Sequence, residues 1–225
     1  MKLIDLSVTM YDGLRSYKSH PPIVIKEKST FKNSGHKYTL PCEGFESRIL
    51  NFSDHSGTHI DAPLHFIRKG ESASEMNLEK TFGDAIVLDV SPFKNPFETV
   101  TGEMLAQAEQ KQGISVVEDD CVLVKTRTEA WGEGSFFDEH AFEKSAGEWL
   151  ISKKVKLIGL DLPNIDLHDN MQREVHMDVL SENIYIVENL ANLASLPLDR
   201  RFNFFAMPLK MENATASPVR AIAFI

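Results

Sequence analysis

Nine short apolar runs rich in β-branched residues set the tightest limit on what this chain can fold into. They cover residues 3–8, 23–25, 49–52, 85–90, 121–125, 157–160, 184–187, 203–207 and 219–225. Runs of this length bounded by turn-forming residues read as strands. Several central ones are almost wholly apolar, as expected of strands covered on both faces. None approaches the roughly 18 apolar residues that cross a bilayer, so no membrane partner is expected. Helical spacing intervenes at 101–112, with Met104, Leu105 and Ala108 on one stripe, Thr101 placed to cap the start and Gly113 to stop the end. A second helix is predicted over 138–153, with Phe142, Ala146, Trp149 and Leu150 on its stripe, and a short third over 177–183. Strand and helix alternate from Ala85 onward, which predicts an α/β architecture. The first 80 residues are strand- and loop-rich, so the sheet is expected to be mixed. With no repeat and no Gly/Ser linker, the 225 residues are read as one domain, 1–225.

Charge and cysteine content exclude several functions. Lys and Arg total 24 against 33 Asp and Glu, a formal charge of −9. Such a chain has no surplus of cations with which to displace counterions from a phosphate backbone, so nucleic acid is not an expected partner. Cys42 and Cys121 stand far apart, which offers neither a disulfide framework nor a thiolate zinc site. Asp5 and Ser7 interrupt the opening apolar run, so no signal peptide is expected and the cytoplasm is the predicted location. There is no GxSxG elbow, Walker A loop or GxGxxG turn.

The histidines are unevenly placed. Three of the eight, His55, His59 and His65, fall in one 11-residue window, where even placement gives roughly 0.4. Asp61 lies among them. Imidazole and carboxylate together suit a divalent transition metal. Gly57 and Pro63 disfavour a helix here. In extended chain, residues of equal parity point the same way, and all four are odd-numbered. With a kink at Gly57 and another at Pro63, the four are expected to converge.

The segment His55-Ser56-Gly57-Thr58-His59-Ile60-Asp61-Ala62-Pro63-Leu64-His65 resembles the HxGTHxDAPxH signature of the metal-dependent cyclase family, which includes bacterial kynurenine formamidases and isatin hydrolases. Further along, Gly159-Leu160-Asp161-Leu162-Pro163-Asn164-Ile165-Asp166 resembles the family's GxDxPSxD segment, and Glu188-Asn189-Leu190 with Asn192-Leu193 resembles its ENLxNL element. Asp5-Leu6-Ser7, Pro208-Leu209-Lys210 and 217–221 resemble its first and closing strands.

The resemblance implies a swivelling β/β/α fold, a mixed sheet with flanking helices. It implies His55, His59 and Asp61 as metal ligands. His176 and Glu188, which stand 12 positions apart as in the family, would complete a binuclear site, with Asp61 and Glu188 able to bridge. Some family members use only the first three. One or two Zn²⁺ or Mn²⁺ ions would lower the pKa of a bound water from about 15.7 towards 7. His65 would act as general base and acid, with direct ligation as the alternative. The implied activity is hydrolysis of an amide, lactam, lactone or ester in a small substrate, aromatic or cyclic among the candidates. A lyase or cyclase stabilising an enolate, or a non-catalytic metal binder, are the competing readings. Homodimers or homotetramers are common in the family.

The chain departs from the family in two places. Kynurenine formamidases usually carry a Trp-Pro-Gly-Asp-like loop after the first strand, where this chain reads Arg15-Ser16-Tyr17-Lys18-Ser19-His20-Pro21-Pro22. Asn164 replaces the usual Ser. Tyr17, Phe45 and Trp131 are the expected pocket-lining side chains, with Gly132, Phe136 and Phe137 beside them.

Overall fold

The computed structural model describes residues 2–95, 97–134, 136–138 and 141–225. Eleven strands appear among them: β1 (Leu3–Asp5), β2 (Val24–Ser29), β3 (Ser47–Asn51), β4 (His59–Asp61), β5 (Phe82–Asp89), β6 (Cys121–Lys125), β7 (Leu157–Leu160), β8 (Tyr185–Glu188), β9 (Phe202–Phe205), β10 (Ala216–Pro218) and β11 (Ile222–Phe224). The helices are α1 (Phe31–Ser34), α2 (Gly102–Gln112), α3 (Lys144–Ser152) and α4 (Glu174–Ser181). Nine strands form one curled mixed sheet in the order β1-β11-β9-β5-β6-β7-β8-β4-β10. Its four central strands, β5 to β8, run parallel, and the outer pairings are antiparallel. This is the single α/β domain with a mixed sheet that the alternation of elements predicts.

Strand parity divides the core in two. Ile86, Leu88, Val122, Val124, Ile158, Leu160 and Ile186 face the helices. Ala85, Val87, Cys121, Leu123, Leu157, Tyr185 and Val187 face the opposite side, where Ile4, Ile60, Phe204 and Ala223 from the two wings of the sheet close over them. Every residue of β6 is buried, the signature of a strand covered on both faces. Gly159 on β7 leaves room for this packing. A Cβ there would meet Leu123 Cδ2 at 2.5 Å and Leu190 Cδ1 at 2.7 Å.

Helix α2 forms as its sequence dictates: Thr101 Oγ1 accepts from Met104 N at 3.1 Å, and Gly113 ends it in the left-handed region at φ 66°. The second predicted helix is shorter than 138–153. Of its first turns, Glu139 and His140 lie outside the described residues. Phe142 is buried in extended chain, bridging Val100 and Asp166, and α3 starts only at Lys144. The third helix begins earlier than predicted, at Glu174, which moves His176 from the approach to the helix into its first turn. The runs at 23–25 and 49–52 shift to β2 and β3 and pair only with each other, as a mostly solvent-exposed ribbon outside the main sheet. The apolar C-terminus is a strand, β11, held between β1 and β9.

Candidate metal centre

Six side chains meet on the helix-facing side of the sheet, and each arrives by a distinct local device. Antiparallel pairing of β4 with β8 sets His59 directly opposite Glu188. Opposed residues project to the same face, so His59 Nε2 stands 3.5 Å from Glu188 Oε2. Asp61, two residues along β4, shares that face, and His59 Nε2 is 3.4 Å from its Oδ1. Gly57, at φ 67°, turns the chain immediately before β4. That turn swings His55 back until its Nδ1 is 2.9 Å from Asp61 Oδ1. Pro63 opens the 3₁₀ turn Pro63–His65, which folds His65 under the strand, its ring centroid 4.0 Å from that of His55. Helix α4 carries His176, whose Nε2 lies 3.7 Å from Asp61 Oδ2 and 3.6 Å from Glu188 Oε1. Parity thus accounts for His59 and Asp61 alone. The turns at Gly57 and Pro63 supply His55 and His65.

Hydrogen bonds behind the cluster aim these rings. His59 Nδ1 is 3.0 Å from the Gly57 carbonyl, and His176 Nδ1 is 2.6 Å from Asp166 Oδ2. Asp166 also accepts from the backbone N–H of Val175 and His176 at 3.1 Å, so one carboxylate both starts α4 and orients its histidine. His55 Nε2 meets Thr215 Oγ1 at 3.0 Å, and Thr215 in turn donates to Asp54. Glu188 Oε1 accepts from Ile165 N at 2.8 Å. Such partners fix the ring tautomer and leave the other nitrogen free for a ligand.

What remains facing inward meets only the other charged groups of the cluster, at 2.9–3.7 Å, without forming hydrogen bonds. His59 Nε2, His176 Nε2 and both carboxylate oxygens of Asp61 are buried without a hydrogen-bond partner among the described residues. Each unsatisfied buried group costs about 1–3 kcal/mol, so four converging ones need a common cause. A divalent cation satisfies all of them, and the nitrogen–carboxylate set without thiolate suits a transition metal. Two triads bring donor atoms within 4.8 Å of one another: His55, Asp61 and His65, and His59, Asp61 and Glu188. Asp61 belongs to both, as a bridging carboxylate would.

Protonation follows the same geometry. Burial disfavours charge on His59, but Asp61 and Glu188 outweigh it and hold the imidazole at about 10. His176 is likewise held well above its ordinary value against its burial, by Asp166, Asp61 and Glu188. Burial works to raise the Asp61 carboxyl, yet His55, His176 and His59 keep it well below its ordinary value. Protons on these imidazoles occupy the place a cation would take, so metal binding releases protons. His65 differs: burial outweighs the pull of Asp61 and pushes it down to about 4, leaving it neutral near pH 7.

The expected pocket residues separate. Tyr17 lines a cavity of about 160 Å³ with Lys18, Phe137, Asn164 and Asp166, and its ring contacts His20, which contacts His55. Trp131 lines a different cavity and donates to Asn189 Oδ1 at 3.0 Å. Phe45 lies by the ribbon, 41% exposed, with its ring against Tyr38. Asp166, Asp54 and His20 were not singled out by sequence. Asp166 stands inside a matched motif, but nothing in residue type marks it as the partner of His176, and His20 carries no local signal.

With fold and site in hand, comparison with known proteins is specific. The Cyclase family model matches residues 4–167. A kynurenine formamidase of Bordetella avium is 34% identical over 77% of this chain and 78% of its own length. One of Bacillus mycoides is 25% identical over 97% and 95%. Isatin hydrolase A from Labrenzia aggregata superposes with a TM-score of 0.82 at 25% identity, covering 99% of this chain and 93% of that one. The chain belongs to the cyclase family, as the histidine segment implied.

Proposed function

We propose that residues 1–225 form a metal-dependent hydrolase that cleaves an amide, lactam, lactone or ester bond in a small aromatic or cyclic substrate. The observation that carries this reading is the convergence of unpartnered, buried nitrogen and oxygen atoms on Asp61. Support for the bond class comes from relatives named kynurenine formamidase and isatin hydrolase.

His55, His59, Asp61, His176 and Glu188 would hold one or two ions of Zn²⁺ or Mn²⁺. Such an ion supplies a water ionised near neutrality and a polarised substrate carbonyl. The chain's own part is positional. Asp166, the Gly57 carbonyl and Thr215 hold the rings in one orientation. His65, neutral and with its ring tilted against that of His55, takes up a proton at its unprotonated ring nitrogen and returns it to the leaving nitrogen or oxygen. Tyr17 and Asn164 line the approach, whereas Phe45, beside the ribbon, and Trp131, in the separate cavity, stand away from it.

We further read the enzyme as cytoplasmic and as a homodimer or homotetramer. Among the described residues no helix is long and apolar enough to cross a membrane. Ile49, Leu50, Phe31 and Leu40 are exposed in or beside the β2–β3 ribbon, an apolar surface that a second copy would cover.

The test is an assay of Zn²⁺- and Mn²⁺-reconstituted protein against aryl formamides, cyclic amides and lactones, with His59→Ala as control. Turnover that disappears with His59 is expected; tight metal binding without turnover of any substrate would defeat the proposal. His65→Ala should abolish turnover while leaving most metal bound. Equal loss of metal would make His65 a ligand.

A further inference from the structure

On the other face of the sheet lies a cavity of about 250 Å³ that none of the metal-facing side chains lines. Its walls come from Lys125 at the end of β6, from 127–131 in the loop that follows, from Asp161 and from 190–195. Leu190 and Leu193, at its base, belong to the core on the side opposite the helices.

The unusual group here is Arg127. It is only 7% exposed, and Nη2 donates to the Glu133 carbonyl at 2.6 Å. Its plane is held over Phe136, Cζ lying 5.1 Å from the ring centroid. Nε and Nη1 have no hydrogen-bond partner among the described residues. A guanidinium stays charged at any physiological pH, so it cannot escape this burial by losing a proton. A buried cation with open donors needs an acceptor.

The neighbouring carboxylates do not supply one. Asp161 gives both oxygens to Thr126, accepting from its backbone N–H at 3.0 and 3.1 Å and from its hydroxyl at 2.8 Å. Glu129 approaches only Nη2, at 3.8 Å, and its side chain is 57% exposed. Asp89 is engaged by the other cation of the cavity, Lys125, at 2.9 Å. Asp161 and Asp89 are committed elsewhere, Glu129 makes one loose contact, and Nε and Nη1 of the guanidinium are left without an acceptor among the described residues.

We propose that this cavity binds a small oxyanion, a carboxylate or a phosphate, anchored by the guanidinium of Arg127. The planar donor fork matches both anions. The Ser195 hydroxyl shares the cavity and offers a further donor, Thr128 Oγ1 donates to Glu129 Oε2 at 3.4 Å, and the Trp131 ring forms a wall. The site requires no metal and is independent of the hydrolase reading.

Trp131 makes the proposal measurable. Metal-loaded protein is titrated with inorganic phosphate, and separately with acetate and succinate, reading tryptophan fluorescence and thermal midpoint. A saturable response to phosphate alone assigns a phosphate-type ligand; a response to the carboxylates assigns a carboxylate. In either case Arg127→Gln should weaken binding at least about tenfold, while Arg127→Lys, which keeps the charge but loses the fork, should restore part of it. Anion binding at the metal centre would survive Arg127→Gln, so a response unchanged in that variant overturns the proposal. Absence of any saturable response does the same. So does a Glu129→Gln variant whose midpoint falls as far as that of Arg127→Gln, because Glu129 would then be the internal counter-ion. If Arg127→Gln does not fold, a response fully retained by Arg127→Lys overturns the fork, and a reduced one supports it.

Discussion

Two buried carboxylates stand at the C-terminal ends of adjacent parallel strands. Glu188 closes β8, and Asp161 follows the last residue of β7. One step of register sends them to opposite faces, Glu188 towards the helices and Asp161 towards the wings. Burial works to raise both. The histidines His176 and His59 bring Glu188 below its ordinary value all the same, against the added push of Asp61. Asp161 meets only the backbone and hydroxyl of Thr126 and the charge of Arg127, and burial prevails, holding it up at about 6. A buried carboxylate becomes a cation holder or a structural acceptor according to what faces it. Burial alone does not decide.

The largest break in this contrast should come from Glu188→Gln. Removing that charge should cost turnover about 10²–10³-fold, the scale of losing one electrostatic stabiliser, with metal content falling alongside. Full metal retention, measured by elemental analysis, would place Glu188 outside the ligand set. Next in size is Asp166→Asn, which touches the centre only through His176. Loss of such a partner typically costs about 10–100-fold in metal affinity, to be read by competition with a chelator. An unchanged affinity would show that His176 needs no orientation. Gly57→Ala should do less. It strains a residue at φ 67° and brings a Cβ to 3.0 Å from Met10 Cγ. A strain of about 1–2 kcal/mol appears as roughly tenfold weaker metal binding through His55.

Asp161→Asn should have the smallest effect on activity and act instead on the pH dependence of stability. Its carboxyl holds a proton more tightly folded than unfolded, so its contribution is complete at low pH and is lost as pH rises from about 4 through about 6, at most about 3 kcal/mol. The variant's thermal midpoint should therefore gain several degrees on the native chain between about pH 4.5 and pH 7. A constant difference between the two would mean that Asp161 ionises like an exposed acid, and the contrast with Glu188 would fail.

Much of the site was legible because its residues crowd one segment. His55, His59, Asp61 and His65 declare themselves by type and spacing, and Gly57 and Pro63 mark where the chain turns. The family resemblance added His176 and Glu188, which no local pattern joins. The central strands were legible from apolar runs buried on both faces. The strand that carries the centre was not: β4 is three residues, His-Ile-Asp, and two of them are polar because they face the site. The start of α3 was missed because Phe142 has the spacing of a helix stripe but bridges Val100 and Asp166 in extended chain. The ribbon's bounds were missed because Val24–Ser29 reads VIKEKS, a half-exposed strand with charged residues where a core strand has none.

Gly159 has a consequence beyond packing. The strand bearing it is only as thick as a backbone on that side, and Leu123 and Leu190 close over it from two neighbouring segments. Leu190 is two residues beyond Glu188 along the same chain. A methyl group at 159 would act as a shim between layers, lifting Leu190 and, through the short tether of Asn189, displacing the carboxylate on the opposite face. The position of a charged group at the candidate metal centre would thus be gauged by an absent side chain on the far side of the sheet.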